Sequence, residues 1–306
     1  MKSKYKLIRT STVSTSLVSF LEPSIEILKS KYNLVLLSSP DKDLDYLGDK
    51  YDVVVYGVAM HRRMSPIQDL ISLLKLIKVF HKEKPYMVHS MTPKAGLLCM
   101  LAAWITRVPR RVHTFTGLVW PTATGLTRKI LMATDWLTCA CATHIIPEGK
   151  GVMNDLQQHI THKPMRVLGY GNVRGIDMNY WRKTNASSNK FREIKRDDVF
   201  TFIFVGRIVR DKGINELIAA FDKLSQEHKV RLLLVGTFED ALDPVSESTK
   251  KIIEGNSSIE YLGPQYGTDL LACYAASDCF VFPSYREGFP NTVLEAGAME
   301  LPSIVT

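Results

Sequence analysis

Runs of β-branched and aromatic residues recur along the chain, interspersed with apolar residues at helical spacing. NLVLLSS, DVVVYGVAM, YMVHSM, RVHTFT and THIIP read as strands, and SLVSFLEPSIEILKS, IQDLISLLKLIKVFHK, KAGLLCMLAAWIT and RKILMATDWLTCACA as helices. Such alternation predicts an α/β fold with helices on both faces of a parallel sheet. From Asn172 to Asp198 the pattern gives way to a polar, turn-rich stretch that reads as a connection between domains. A second series follows: strands FTFIFVG, VRLLLVG, SIEYLG, DCFVFPS and SIVT, with helical patterns INELIAAFDKL, SESTKKIIEG, TDLLACYAAS and NTVLEAGAME between them. Two Rossmann-like domains, residues 1–178 and 179–306, are the simplest account. With the two facing across a cleft, ligands are expected beyond the carboxyl ends of the strands.

Composition narrows the classes. The 306 residues are 45% hydrophobic and 23% charged, enough to build two cores. The basic start MKSKYKLIRTSTVSTSLVSF lacks the apolar run of a secretion signal, and Gly96 to Thr106 is too short to span a bilayer. Five cysteines without C-x-x-C spacing point to buried thiols in a reducing compartment, so the expected location is cytoplasmic. Charge is uneven. Residues 1–180 hold 24 Lys/Arg against 13 Asp/Glu, and residues 181–306 hold 15 against 18, giving +11 and −3. The basic half fits an anionic partner, such as phosphate or an acidic membrane surface, or else a solvated basic face. It lacks the basic–aromatic interleaving of a nucleic-acid module, and no nucleic-acid partner is expected.

Two stretches carry candidate chemistry. In FVGRIVRDKGINELIAAF, Gly206 and Arg207 end a strand while Lys212 leads into a helix, placing two cations where a helix amino end already favours an anion. These are diphosphate ligands or ordinary loop charge. In YREGFPNTVLEAG, the segment Gly288, Phe289, Pro290 and Asn291 turns from a strand into a helix, so its backbone N–H groups can face a phosphate. Glu287 and Glu295, eight positions apart, suit hydroxyl-rich parts of the same ligand, one per sugar ring, or are solvated helix charge.

These segments, with the GNVRGID linker and REGFPNTVLEAGAMELPSIVT, resemble the family 4 retaining glycosyltransferases of the GT-B fold. The resemblance implies that Arg207 and Lys212 contact the diphosphate of a nucleotide-sugar donor. It implies that Glu287 meets the donor sugar, Glu295 the ribose, and the amides of Gly288 to Asn291 the phosphate. Arg207, Lys212 and Glu287 are then the residues closest to the chemistry, with Gly206 lining the site. No metal and no cofactor are expected. The first half is similar to bacterial members that build capsule, O-antigen or N-linked glycans, which use UDP-sugars and polyprenyl-diphosphate-linked acceptors at the inner membrane face. That similarity implies a peripheral position on an anionic membrane. Lys94 is the candidate acceptor-side cation, with Arg62, Arg63 and Thr127 to Lys129 as weaker ones.

The family places a histidine after the strand aligned with RVHTFT, where this chain has Thr116, with His113 three residues earlier. His113 is thus an acceptor-side candidate or a core residue. The D-x-D within Asp41 to Asp45 reads as a polar connector rather than a metal motif, and GYGNVRG as linker rather than a dinucleotide fingerprint. Family members continue past LPSIVT, so the second domain is expected to be shortened. The alternatives are a nucleotide-sugar 2-epimerase and a binding protein without turnover.

Overall fold

The computed structural model describes residues 5–62, 64–241 and 243–306. The first of its two compact units ends at Arg174 and the second begins at Gly175. The first contains strands β1 (Lys6–Thr10), β2 (Asn33–Ser38), β3 (Val54–Gly57), β4 (Met87–Met91), β5 (Arg110–Phe115) and β6 (His144–Pro147). Its helices are α1 (Ser14–Leu21), α2 (Ile25–Lys31), α3 (Lys42–Tyr51), α4 (Pro66–Glu83), α5 (Pro93–Ile105), α6 (Gly125–Cys141) and α7 (Lys150–His159). The six strands are parallel in the order β3-β2-β1-β4-β5-β6, the doubly wound arrangement in which the strand order reverses between β1 and β4.

Two of these elements depart from the sequence reading. The basic start, to which no element was assigned, holds β1, the strand at the switch point, with Leu7 and Ile8 fully buried. The aspartates read as a connector open helix α3. Asp41 is its cap, accepting from the Leu44 N–H at 3.1 Å, and Asp43 and Asp45 lie in the first turn, where the helix dipole favours carboxylates. The apolar run from Gly96 belongs to the core. Helix α5 buries Leu98, Cys99, Met100, Ala102 and Ala103 between α4 and α6.

The second unit contains α8 (Ser188–Ile194), β7 (Phe200–Val205), α9 (Ile214–Glu227), β8 (Val230–Val235), α10 (Glu247–Gly255) and β9 (Ile259–Gly263). It continues through α11 (Gly267–Ala275), β10 (Cys279–Phe282), α12 (Asn291–Ala298) and β11 (Ser303–Val305). Its parallel sheet runs β11-β10-β7-β8-β9, so β7 and β10 flank its switch point. The stretch read as a connection is partly structural. Trp181 and Ile194 are buried in this unit's core, and the Ile194 carbonyl accepts from Arg231 Nη2 at 2.7 Å. With seven residues and two inward apolar positions, α8 is too short to show a period.

All five cysteines are buried and free, and burial pushes the Cys99 thiol up to about 12. Buried histidines give the first unit a pH dependence. His113 lies in the core with Nδ1 2.8 Å from Ser90 Oγ, and burial lowers it to about 3. His89 is lowered by burial and then by the neighbouring Arg9. A depressed histidine binds its proton first in the unfolded chain, so stability is lost as pH falls below the ordinary value of about 6.5. Asp135, raised by burial to about 7, opposes this between its ordinary carboxylate range and pH 7, because its proton favours the folded state. Two histidines against one carboxyl leave a net loss of up to ~1.4 kcal/mol per pH unit on acidification. Asp135→Asn removes the opposing group and should steepen that acid slope, as urea denaturation between pH 4.5 and 6.5 would show.

Candidate functional site

The switch point of the second sheet gathers the residues singled out in its sequence. Lys212 follows β7 and Glu287 follows β10, 75 positions later, yet Lys212 Nζ and Glu287 Oε1 form an ion pair. Lys212 also lies over the Phe282 ring, 5.4 Å from its centroid. Ser284 Oγ donates to Glu287 Oε1 at 2.6 Å. Beside them, Arg286 Nη2 meets Asp211 Oδ2 at 2.5 Å. The backbone joins the same loops, with the Tyr285 N–H donating to the Asp211 carbonyl at 3.1 Å. Gly213 permits this closeness: its φ is +70°, and a Cβ there would lie 1.9 Å from the Pro283 carbonyl oxygen.

The loop after β8 holds the other side. Gly206 N–H donates to the Val235 carbonyl at 2.9 Å and Ile208 N–H to that of Thr237 at 2.8 Å, continuing the ladder beyond the sheet. Arg207 Nη1 pairs with Glu239 Oε2 at 2.8 Å. Both cations assigned to phosphate are therefore held by carboxylates. Glu239 was missed in the sequence because nothing in VGTFED marks it apart from its place after a strand.

Helix α12 begins at Asn291 with Pro290 at its cap position and no side-chain cap, leaving the amino end to its backbone groups. Gly288 and Phe289 form the turn before it. Glu295 is only 5% exposed, and Tyr274 Oη donates to its Oε2 at 3.1 Å. Tyr274 packs edge-on against Trp181, their centroids 5.8 Å apart. Neither residue is legible as a site feature in the sequence: Tyr274 sits in a helix pattern and Trp181 in the apparent linker.

In the first unit, Lys94 stands in the first turn of α5 after β4 and pairs with Asp69 at 2.5 Å. Thr116 follows β5, half-buried at the carboxyl end of the sheet. His113 is turned the other way, into the core, with its ring filling the space a Cβ on Gly96 would need, 2.4 Å from His113 Cε1. The structure thus favours the core role for His113. Arg62 and Thr127 to Lys129 are exposed, and Arg63 lies outside the described residues. Missed were Thr12 and Thr92 at this unit's own switch point. Their hydroxyls are 2.8 Å apart, and Thr12 Oγ1 accepts from the Ala95 N–H at 3.2 Å, supplying the amino end of α5 with an acceptor. Also missed was a buried row in which Arg9 Nη1 bonds His89 Nδ1 and His89 Nε2 stands 2.8 Å from Thr114 Oγ1. Because arginine only donates, Nδ1 accepts and the Nε2–H donates to the threonine.

Two parallel sheets of this order define a doubly wound α/β protein, and the second gathers cations, a helix amino end without a side-chain cap and two carboxylates at one switch point. Comparison with known proteins gives the class. Residues 26–171 match the family model described as Glycosyltransferase Family 4, and residues 186–306 that described as Glycosyl transferases group 1. The capsular polysaccharide biosynthesis glycosyltransferase CapM of Staphylococcus aureus is 34% identical over 306 residues, covering 98% of this chain and 78% of CapM. The UDP-Gal:alpha-D-GlcNAc-diphosphoundecaprenol alpha-1,3-galactosyltransferase of Escherichia coli is 27% identical over 271 residues, 86% of this chain and 68% of that enzyme. Among solved structures, Anabaena Alr3699/HepE in complex with UDP and glucose superimposes with a TM-score of 0.76 at 16% identity, covering 98% of this chain and 80% of that one. The fold is GT-B. The chain belongs to the family 4 glycosyltransferases, of the type that builds capsule and lipid-linked sugars.

Proposed function

We propose that this protein transfers a sugar, with retention of anomeric configuration, from a UDP-sugar to a polyprenyl-diphosphate-linked saccharide. The observation that carries this is the convergence of Arg207, Lys212, Glu287 and the α12 amino end at one switch point. The E. coli relative's name gives it a UDP-galactose donor and a diphosphoundecaprenol acceptor. In this reading the bond between the sugar's C1 and the diphosphate breaks while the acceptor hydroxyl attacks the same face. The hydroxyl proton passes to the departing phosphate oxygen. Arg207 and Lys212 take up the charge that develops on that diphosphate, and the α12 amides add to it. Since side chains supply the positive charge, chelation by EDTA is expected to leave the rate unchanged. Glu287 accepts from sugar hydroxyls and Glu295 from the ribose. Lys94 and Thr116 face the acceptor.

Tyr274→Phe removes the donor that holds Glu295 without changing the packed ring. Calorimetry should show UDP binding weakened about 3–10-fold, near the net worth of one ordinary hydrogen bond.

The membrane partner is supported by the outer surface of the first unit. Ile67, Leu70, Ile71 and Leu74 of α4 are exposed at i, i+3, i+4 and i+7, and Leu126, Ile130 and Trp136 of α6 are exposed as well. Lys75, Lys78, Arg128 and Lys129 are exposed on the same helices. The three acidic residues between positions 66 and 141 do not oppose them, for Asp69 is paired with Lys94, Glu83 with Lys6, and Asp135 is buried. Among the described residues, no helix is long and apolar enough to cross a membrane. An apolar face flanked by unopposed cations fits an anionic bilayer surface. Ile67→Glu with Leu74→Glu should release the protein from phosphatidylglycerol vesicles in a sedimentation assay while leaving UDP binding intact.

The test of function is a transfer assay with labelled UDP-sugars and polyprenyl-diphosphate saccharides. A lipid-linked product supports the reading. Conversion of the donor without acceptor would indicate 2-epimerisation instead, and donor binding with no product a binding protein.

A further inference from the structure

At the centre of the donor-side loops, four consecutive-pair residues face one another with reversed charges. Asp211 and Lys212 lie on the loop after β7, Arg286 and Glu287 on the loop after β10, and they form two crossed ion pairs, Asp211–Arg286 and Lys212–Glu287. All four side chains are at most a quarter exposed. Asp211 is fixed at both ends. Its N–H donates to Asp243 Oδ2 at 2.7 Å, and its carbonyl accepts from the Tyr285 N–H.

We propose that Asp211 is a positioning residue whose task is to restrain Arg286. Arg286 is adjacent in sequence to Glu287, and its planar guanidinium, with five donors, binds a carboxylate more strongly than the ammonium of Lys212 does. Released from Asp211, Arg286 turns to Glu287 and occupies the carboxylate intended for the sugar hydroxyls. Held by Asp211, it leaves Glu287 to Lys212 and Ser284, partners that can be exchanged when a donor arrives. The inference rests on the donor-site reading above and adds a residue to it. It also gives the reason for having two pairs rather than one: a lone Lys–Glu pair beside an unrestrained arginine would be captured.

The restraint makes a prediction that ordinary loop stability does not. Calorimetry on the 306-residue chain would compare UDP with whichever of UDP-glucose, UDP-galactose and UDP-N-acetylglucosamine the wild type prefers, the ratio of the two affinities measuring the sugar's contribution. In Asp211→Asn the contribution should vanish while UDP itself binds at least as tightly as to wild type, because Arg207, Lys212 and the α12 amides remain in place and Glu287, taken by Arg286, no longer competes for Lys212. Adding Arg286→Gln to Asp211→Asn removes the competitor and should restore the contribution to within about threefold. Thermal melts of the same variants would show the double substitution no more stable than the single, so that recovery cannot come from refolding. A single variant that keeps the sugar's contribution would overturn the proposal, as would a double variant no better than the single. A wild-type chain that binds none of UDP, GDP and ADP would remove the donor-site reading itself, and the restraint with it.

Discussion

Glu287→Ala should abolish sugar transfer and at the same time tighten the binding of nucleoside diphosphate. In the proposed function Glu287 meets the donor sugar, so its removal takes away an interaction needed to hold the reacting carbon in place, and a loss of ~10³-fold or more in turnover is expected for such a group. The second effect follows from the ion pair. Lys212 is only 13% exposed and is neutralised by Glu287 in the unliganded protein. A diphosphate must therefore compete with that carboxylate for the ammonium. With alanine in its place, Lys212 becomes a partly buried cation without its counter-charge, and an arriving diphosphate supplies one. UDP affinity should rise about 3–10-fold. Turnover and UDP calorimetry on the same sample separate the two effects. Unchanged transfer would discard the donor-sugar role, and weaker UDP binding would show that Lys212 is not the diphosphate ligand.

Gly213→Ala is expected to be strongly damaging to the second unit for the sake of one methyl group. The position needs a left-handed backbone, φ +70°, and the added carbon would meet a backbone oxygen 1.9 Å away rather than the yielding tip of a side chain. Relief requires the loops after β7 and β10 to part, which breaks both crossed ion pairs. The cost should be about 2–4 kcal/mol, combining backbone strain with overpacking. Gly255→Ala is the control, because a Cβ there meets nothing within 4 Å and its φ is ordinary. Guanidinium denaturation should show Gly213→Ala unfolding the second unit early and Gly255→Ala unchanged. Equal stability of the two variants would mean that the loops are not packed as described.

How far the sequence carried the reading depended on the range of the interactions. The strands and helices from β7 onward were legible from their alternating pattern, and the start of α12 at Asn291 because β10, its turn and the helix are contiguous. Both glutamates and both cations were legible as candidates. Their mutual pairing was not, since it depends on β7 lying next to β10, an adjacency created by two intervening βα units. β1 was hidden because lysines precede its short apolar core and Arg9 interrupts it, while serines and threonines follow. The burial of Arg9 beside His89 is a tertiary arrangement with no local signature. α3 was missed because its sequence KDLDYLGDKY is mostly polar and buries only Leu44 and Leu47. Glu295 was legible, but its support through Tyr274 and Trp181 was not. That chain runs from the apparent linker through α11 to α12.

The ladder that continues past the ends of β7 and β8 bears on how a donor is captured. With Gly206 and Ile208 hydrogen-bonded to the carbonyls of Val235 and Thr237, and Asp211 tied to Tyr285, the backbone around Arg207 is already set before anything binds. In the proposed function, capture consists of carboxylates letting go of cations, a matter of side-chain rotation rather than of loop rearrangement. Little chain entropy is surrendered on binding. In that reading the protein meets its donor as a switchboard whose plugs are already seated, and the proposed nucleotide-sugar need only displace them.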